Sequence, residues 1–349
     1  MPVIEPAKLR QIAQELFVNA NVPEEDAKIF ARLCVGANLA GHDSHGVIQI
    51  PTYIDRIDRG HINPKASYDI VKETPTTTVV DGNWGIGYVV TERLMKMTIE
   101  KAKEQNVAAA TVYRQSHVGR LGAYPLIAEA EDMIAFITAD SGRSAKAVVP
   151  FGGRDKRLGT NPISFAIPSN LEGPYFLDMA TSAVAAGKIN LAKARNKQIP
   201  LGWVVDQSGN ETTDPNALEA GGAILPLGGP EGHKGYGLSS VVEIFSGLLT
   251  GLGFGHDPSG RHNDGCFMAV FNVSAFRELA DFKKEVTDFA MYLKSSKPAP
   301  GFTEVFYPGE LEYLREIELS KNGISIEEST WITLMQLVDK YGLKKGLGL

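Results

Sequence analysis

Thr77-Thr78-Val79-Val80-Asp81-Gly82, a stretch over 88–103, and Val107-Ala108-Ala109-Ala110-Thr111-Val112-Tyr113 follow one another closely. The first and third runs are short, apolar or β-branched, and end in turn residues, which is the pattern of strands. The middle run spaces its apolar residues at three and four, as an amphipathic helix does. Strand, helix and strand in succession make the centre of this chain α/β. The alternation continues with a helix over 125–131, strands over 134–139, 163–167 and 175–177, and a helix over 234–249.

Outward from that centre the period is helical. Leu9, Ile12, Leu16 and Phe17 share one face, and a second helix opens at Asn21-Val22-Pro23-Glu24-Glu25, its acids near the positive end. It runs to Leu39 and delivers a glycine-bounded turn. Residues 60–76 read as a connection. Beyond 251 the pattern gives one strand, 266–271, and helices over 275–294, 309–319 and 327–341.

The chain has 349 residues, 43% hydrophobic and 22% charged, so two or three folded units are expected. A formal net charge of −6 with scattered Lys and Arg argues against nucleic acid as a partner. Two cysteines without CxxC spacing read as free thiols in a reducing compartment. No run approaches a membrane span and the start shows no signal-peptide pattern, so a soluble cytoplasmic protein is expected.

No Gly-x-Gly-x-x-Gly joins a strand to a helix, because Gly82, Gly85 and Gly87 are wrongly spaced and Gly251, Gly253 and Gly255 lack the third position. A Rossmann domain is disfavoured. Walker A, HExxH and GxSxG sequences are also missing.

Three segments set imidazole close to glycine: Gly41-His42-Asp43-Ser44-His45-Gly46, Ser116-His117-Val118-Gly119 and Gly232-His233-Lys234-Gly235. Histidine exchanges protons near neutrality and glycine admits close backbone approach, so these are candidate site segments. The Ser44 hydroxyl can hold one nitrogen of His45 and fix its tautomer, as a proton donor requires. Tyr53 either adds a phenol to this pocket or packs at a helix surface. His117 follows a strand in a loop with Arg120, and is either a ligand-site residue, where α/β proteins place ligands, or a surface histidine in a turn. The basic turn 153–157 is either an anion site or a solvated surface. Asp178 either binds a ribose or an imidazole, or caps a helix starting near Ala183, a task Thr181 or Ser182 would serve equally. His233 and Lys234 at a glycine-rich helix start make a plausible phosphate cradle.

These segments, with Gly159-Thr160-Asn161-Pro162, Leu177-Asp178-Met179-Ala180-Thr181-Ser182 and Gly187-Lys188, resemble in order and spacing the malate/L-lactate dehydrogenase family over nearly the whole chain. The resemblance implies a non-Rossmann α/β (α+β) fold. Residues 1–75 and 251–349 would form a helical part from both chain ends, 76–250 the central α/β domain, and the enzyme would be a homodimer. It implies an NAD- or NADP-dependent enzyme with His45 as proton donor and His117, Ser44 and Asp178 at the reacting centre. Cofactor contacts would come from Gly119, Arg120, Leu121, Thr160, Asn161, Asp178, Met179, Ala180, His233, Lys234, Pro308, Gly309 and Glu310, with no metal. Substrate contacts would come from Gln49, Tyr53 and Arg120. Many members carry arginine where this chain has Gln49, so it looks more like the hydroxycarboxylate dehydrogenase B branch, with Arg120 taking the substrate carboxylate.

The expected reaction is hydride transfer between nicotinamide and a small 2-hydroxy or 2-oxo acid. Three alternatives stand beside it: reduction of a cyclic 2-imino acid in the same pocket; a hydrolase or aldolase in which His42, His45, His117 and His233, with Asp43 and Asp178 nearby, hold a metal; and a non-catalytic binding protein that has kept the fold.

Overall fold

The computed structural model describes residues 1–140, 143–257 and 259–349. In chain order the strands are β1 (Val3–Ile4), β2 (Asp69–Glu73), β3 (Thr77–Gly85), β4 (Val107–Gln115), β5 (Met133–Ala139), β6 (Ile163–Ile167), β7 (Tyr175–Met179), β8 (Val204–Val205), β9 (Glu211–Thr212), β10 (Ala223–Ile224), β11 (Asp264–Asn272) and β12 (Ile324–Ser325). The helices are α1 (Pro6–Asn19), α2 (Glu24–Leu39), α3 (Ile50–Asp58), α4 (Gly87–Gln105), α5 (Pro125–Glu129), α6 (Ala186–Ala194), α7 (Gly232–Glu243), α8 (Leu279–Lys294), α9 (Glu310–Asn322), α10 (Glu328–Lys340) and α11 (Lys344–Leu347).

The central sheet runs β2-β3-β4-β11-β5-β6-β7. Only β3 and β4 are parallel neighbours, joined through the crossover helix α4 that such a pair requires; every other adjacent pair is antiparallel. This is not a Rossmann order. Residues 60–76 are more than a connection. They contain β2, an edge strand with all five residues exposed, whose half-charged sequence Asp-Ile-Val-Lys-Glu gives no apolar run for a reading by period to catch.

The stretch from 251 onward does not separate from the centre. Its strand β11 lies in the middle of the sheet, between β4 and β5, while α9 packs on α2 and α10 on α1 and α3. β1 and β12 pair antiparallel and tie the two ends of the chain together. The main core joins Leu9, Ile12, Leu16 and Phe17 of α1 to Phe30 of α2, where Phe17 and Phe30 stack with centroids 3.6 Å apart. Each such fully buried side chain contributes about 1.5–3 kcal/mol. A smaller core under β10-β8-β9 gathers Val148, Leu158, Ile189, Ile199 and Val204.

Three elements run differently from the sequence reading. α6 starts at Ala186, three residues later than expected, and a π-helical turn over 244–248 follows α7. The helix expected from 275 begins at Leu279 after a short 3₁₀ turn.

Candidate active site

The site begins at the end of α2. Asn38, buried, donates from Nδ2 to Asp43 Oδ1 (2.7 Å) and accepts the Val47 N–H on Oδ1 (2.9 Å), which binds both ends of the turn 41–47. A Cβ at Gly46 would overlap the Asn38 amide, so only glycine fits there. Ser44 Oγ lies 3.0 Å from His45 Nδ1, and Gln49 donates from Nε2 to the Ser44 carbonyl (2.8 Å). Gln49 therefore braces the histidine turn. From α4, Tyr88 donates its hydroxyl to the His45 carbonyl (3.1 Å).

β4 ends at Gln115, and the next turn places His117 nearly parallel to His45, centroids 5.7 Å apart. Tyr53 is buried in α3 and its Oη lies 2.6 Å from His117 Nδ1. Of the two fates read for Tyr53, the structure shows the pocket. Tyr88 Oη is farther away, at 3.4 Å, so the Tyr53 proton is assigned to the shorter contact and donated to His117 Nδ1. On this hydrogen-bond assignment His117 carries its own proton on Nε2. Burial drives the His117 pKa down to about 3 against the pull of Asp264, leaving the ring neutral. Burial also lowers His45, with Asp178 opposing it. A neutral imidazole near a substrate hydroxyl is a base; once protonated, it is a strong acid.

A second group of residues meets at β7. Asp178 Oδ2 accepts the Gly122 N–H (2.8 Å) and lies 3.6 Å from Arg120 Nε. Arg120 is buried over the Phe176 ring, 5.2 Å from its centroid, and its Nε has no hydrogen bond. Asp178 thus serves the short 3₁₀ turn over 121–123 and not the start of α6. Thr181 spends its hydroxyl on the carbonyls of Thr160 and Asn161, and Ser182 on that of Val184. The Pro308 carbonyl accepts the Phe176 N–H (3.1 Å), and Gly309, at φ 95°, leaves no room for a Cβ beside Phe176. Met179 and Ala180 continue this strand end.

The other expected cofactor residues are placed less directly. Asn161 is wholly buried; its amide donates to Glu243 Oε2 (2.8 Å) and the Ser239 carbonyl (3.1 Å), while its Oδ1 has no partner. Glu310 is held by Lys294 and by the Tyr307 N–H (3.0 Å), which fixes its own turn. His233 and Lys234 are exposed at the start of α7, both facing Glu231, with His233 edge-on to Phe151. The turn 153–157 is surface: Arg157 pairs with Asp155 there, both side chains about two-thirds exposed.

The four histidines of the metal alternative do not converge. His42 faces Glu312 (3.6 Å) and His233 faces Glu231. Among the described residues, no three His, Cys, Asp or Glu side chains form a metal-holding group. Nor is any described helix long and apolar enough to cross a membrane.

Sequence reading missed Asn38, Tyr88, His262, Asp264 and Glu312. Of these only His262 and Asp264 left a signal: an imidazole and a carboxylate two residues apart immediately before a strand.

A mixed sheet without Rossmann order thus carries paired imidazoles and a buried Arg–Asp pair. A family model described as malate/L-lactate dehydrogenase matches residues 4–335. The chain is 37% identical over 348 residues to an L-sulfolactate dehydrogenase of Methanocaldococcus jannaschii, covering 98% of each. It superposes on a malate dehydrogenase structure from Entamoeba histolytica with a TM-score of 0.91, at 31% identity and 98% coverage of both chains. A Δ1-piperideine-2-carboxylate reductase from Pseudomonas syringae superposes with a TM-score of 0.84 at 27% identity, covering 97% of this chain and all of that one. The chain belongs to the malate/L-lactate dehydrogenase family, and the family makes a nicotinamide dinucleotide its cofactor.

Proposed function

We propose that this enzyme interconverts a small 2-hydroxy acid and its 2-oxo acid, with His45 moving the proton and Arg120 binding the carboxylate. The observation that carries this reading is Arg120, a buried guanidinium whose Nε has no hydrogen bond and which shares its loop with His117. A guanidinium in that state is matched by a planar anion. Gln49, turned onto the Ser44 carbonyl, leaves that role to Arg120.

A dinucleotide would lie where the loop after β4, the end of β7 and the turn before α9 meet, with the Gly122 N–H on Asp178 and the Phe176 N–H on the Pro308 carbonyl. Gly119 to Leu121, the strand end around Asp178, and the turn 308–310 would hold it, with His233 and Lys234 toward its phosphates. When bound, the nicotinamide supplies or accepts the hydride. His45, its Nδ1 held by Ser44, takes the hydroxyl proton in the oxidative direction and returns it in the reductive one, a role worth roughly 10² to 10⁴ in rate. His117 presents its Nε2 proton as a hydrogen-bond donor, suited to a carbonyl oxygen that gains negative charge.

Two further expectations belong to this reading. The exposed Phe289, Tyr292, Phe302, Leu311, Leu314 and Ile317, with no buried residue on α9, support a homodimer, which light scattering would report. The buried free thiols Cys34 and Cys266 suit the cytoplasm.

The test offers NADH and NADPH separately with a panel of 2-oxo acids and cyclic 2-imino acids, following reduced-nicotinamide absorbance. Oxidation with an oxo acid supports the reading and identifies cofactor and substrate. Turnover of imines alone replaces it with the imine reductase reading, which the similarity to the P. syringae reductase favours. Absence of nicotinamide binding overturns both.

A further inference from the structure

The segment entering β11 carries a pair of side chains with no role in the reaction described above. His262 is braced at both nitrogens: Nδ1 lies 2.9 Å from Ser144 Oγ, and Nε2 lies 2.6 Å from Asp264 Oδ1, off the hydrogen-bond direction. Its ring meets His117 edge-on, centroids 5.6 Å apart at 78°. Asp264, with 3% of its side chain exposed, turns its other oxygen to the N–H of Val118 (3.1 Å), the residue next to His117. One carboxylate thus grips the backbone of the His117 turn and, through His262, abuts its ring. β11 stands opposite β4 with Asp264 facing Gln115 and a bulge immediately after it, so the two strands end together beneath this turn.

We propose that Asp264 and His262 are positioning residues that clamp His117 against Tyr53 and so fix the tautomer it presents to substrate. This rests on the proposed function for its catalytic consequence, though not for its geometry. Burying a carboxylate is costly unless it is paired and hydrogen-bonded. Although burial pushes the Asp264 pKa up, His262, His117 and the Val118 N–H together hold it below the usual carboxylate value, so it stays charged. The titratable and charged groups around His117 are Arg56 from α3, His45 from the histidine turn, and His262 with Asp264; Asp264 is the acid among them. Around His45 they are Asp178, His42, Arg120 and again Asp264. Removing the charge of Asp264 therefore also lowers the proton affinity of His45.

The experiment compares wild type with Asp264→Asn and His262→Gln. Asparagine keeps an oxygen for the Val118 N–H, and His262 is partly exposed, so His262→Gln serves if the first variant fails to fold. Imidazole ¹⁵N NMR at neutral pH, without substrate or cofactor, reads the tautomer of His117. The expected result is one Nε2–H tautomer in wild type and a mixture in each folded variant. On the substrate identified by the panel, kcat falls roughly tenfold or more, with the Kd for reduced nicotinamide dinucleotide within about twofold. In Asp264→Asn the acid-dependent rise of the reductive rate moves to lower pH, which lost packing alone would not produce. An unchanged tautomer in a folded variant, or a mixture in wild type, overturns the proposal. Silence across the whole substrate panel overturns the proposed function instead and leaves the NMR result to decide this one.

Discussion

Tyr53 Oη and His117 Nδ1 lie 2.6 Å apart across 64 positions of sequence, and this contact decides which nitrogen of His117 bears the proton. Tyr88 donates to the His45 carbonyl, so two neighbouring buried phenols contact both histidine turns.

Tyr53→Phe removes the hydroxyl and leaves His117 Nδ1 unpaired. Such a loss costs about 1–3 kcal/mol. The expected outcome is a fall in kcat of roughly ten- to hundredfold, with KM changing much less. Steady-state kinetics on the folded variant checks this, and unchanged kcat would remove His117 from the reacting centre.

Arg120→Lys keeps the charge and loses the fork. If Arg120 binds the substrate carboxylate, KM for the 2-oxo acid rises by about tenfold or more while cofactor affinity changes little. An increase confined to the cofactor Kd would reassign Arg120 to the dinucleotide.

Gly46→Ala and Asn38→Ala attack the histidine turn from its two sides. Alanine at 46 drives a Cβ into the Asn38 amide, and alanine at 38 frees both Asp43 and the Val47 N–H. Each is expected to destabilise by about 1–3 kcal/mol and to lower kcat, read by denaturant unfolding and kinetics on the same samples. Full activity in either would mean that the turn holds His45 without Asn38.

Asp140 is buried, with one oxygen on the Gly265 N–H (2.9 Å) and the other without a partner. Burial, reinforced by Glu243 and Asp264, raises its pKa from 3.8 to about 8. The folded state then binds the extra proton, so its stabilisation is complete below 3.8 and is lost as pH rises through about 8. His117 acts in the opposite sense: its pKa falls from 6.5 to about 3, so its contribution is present above 6.5 and is lost as pH falls toward 3. Between 6.5 and about 8, where His117 is flat, Asp140 still slopes, by roughly 1.4 kcal/mol per pH unit for one proton. Asp140→Asn should therefore flatten the decline in Tm between about pH 6.5 and 8; an equally steep decline in the variant over that window would place the responsible group elsewhere.

The sequence by itself determined what is local. Period and turn residues located α1, α2, α4 and the core strands, because burial on one face forces apolar spacing of two or of three to four. The Ser44–His45 contact was legible for the same reason, since neighbours in sequence cannot avoid each other. β2 was not legible, because an exposed edge strand has no apolar face to betray it. Tertiary structure alone decided which distant residues meet. It inserted β11 between β4 and β5, and so brought His262 and Asp264 beneath His117 from about 145 positions away. It turned Gln49 inward onto the Ser44 carbonyl and buried Arg120 beside Asp178. Hydrogen bonding and close packing act between atoms near in space, and no periodicity along the chain encodes which side chains the sheet order will make neighbours.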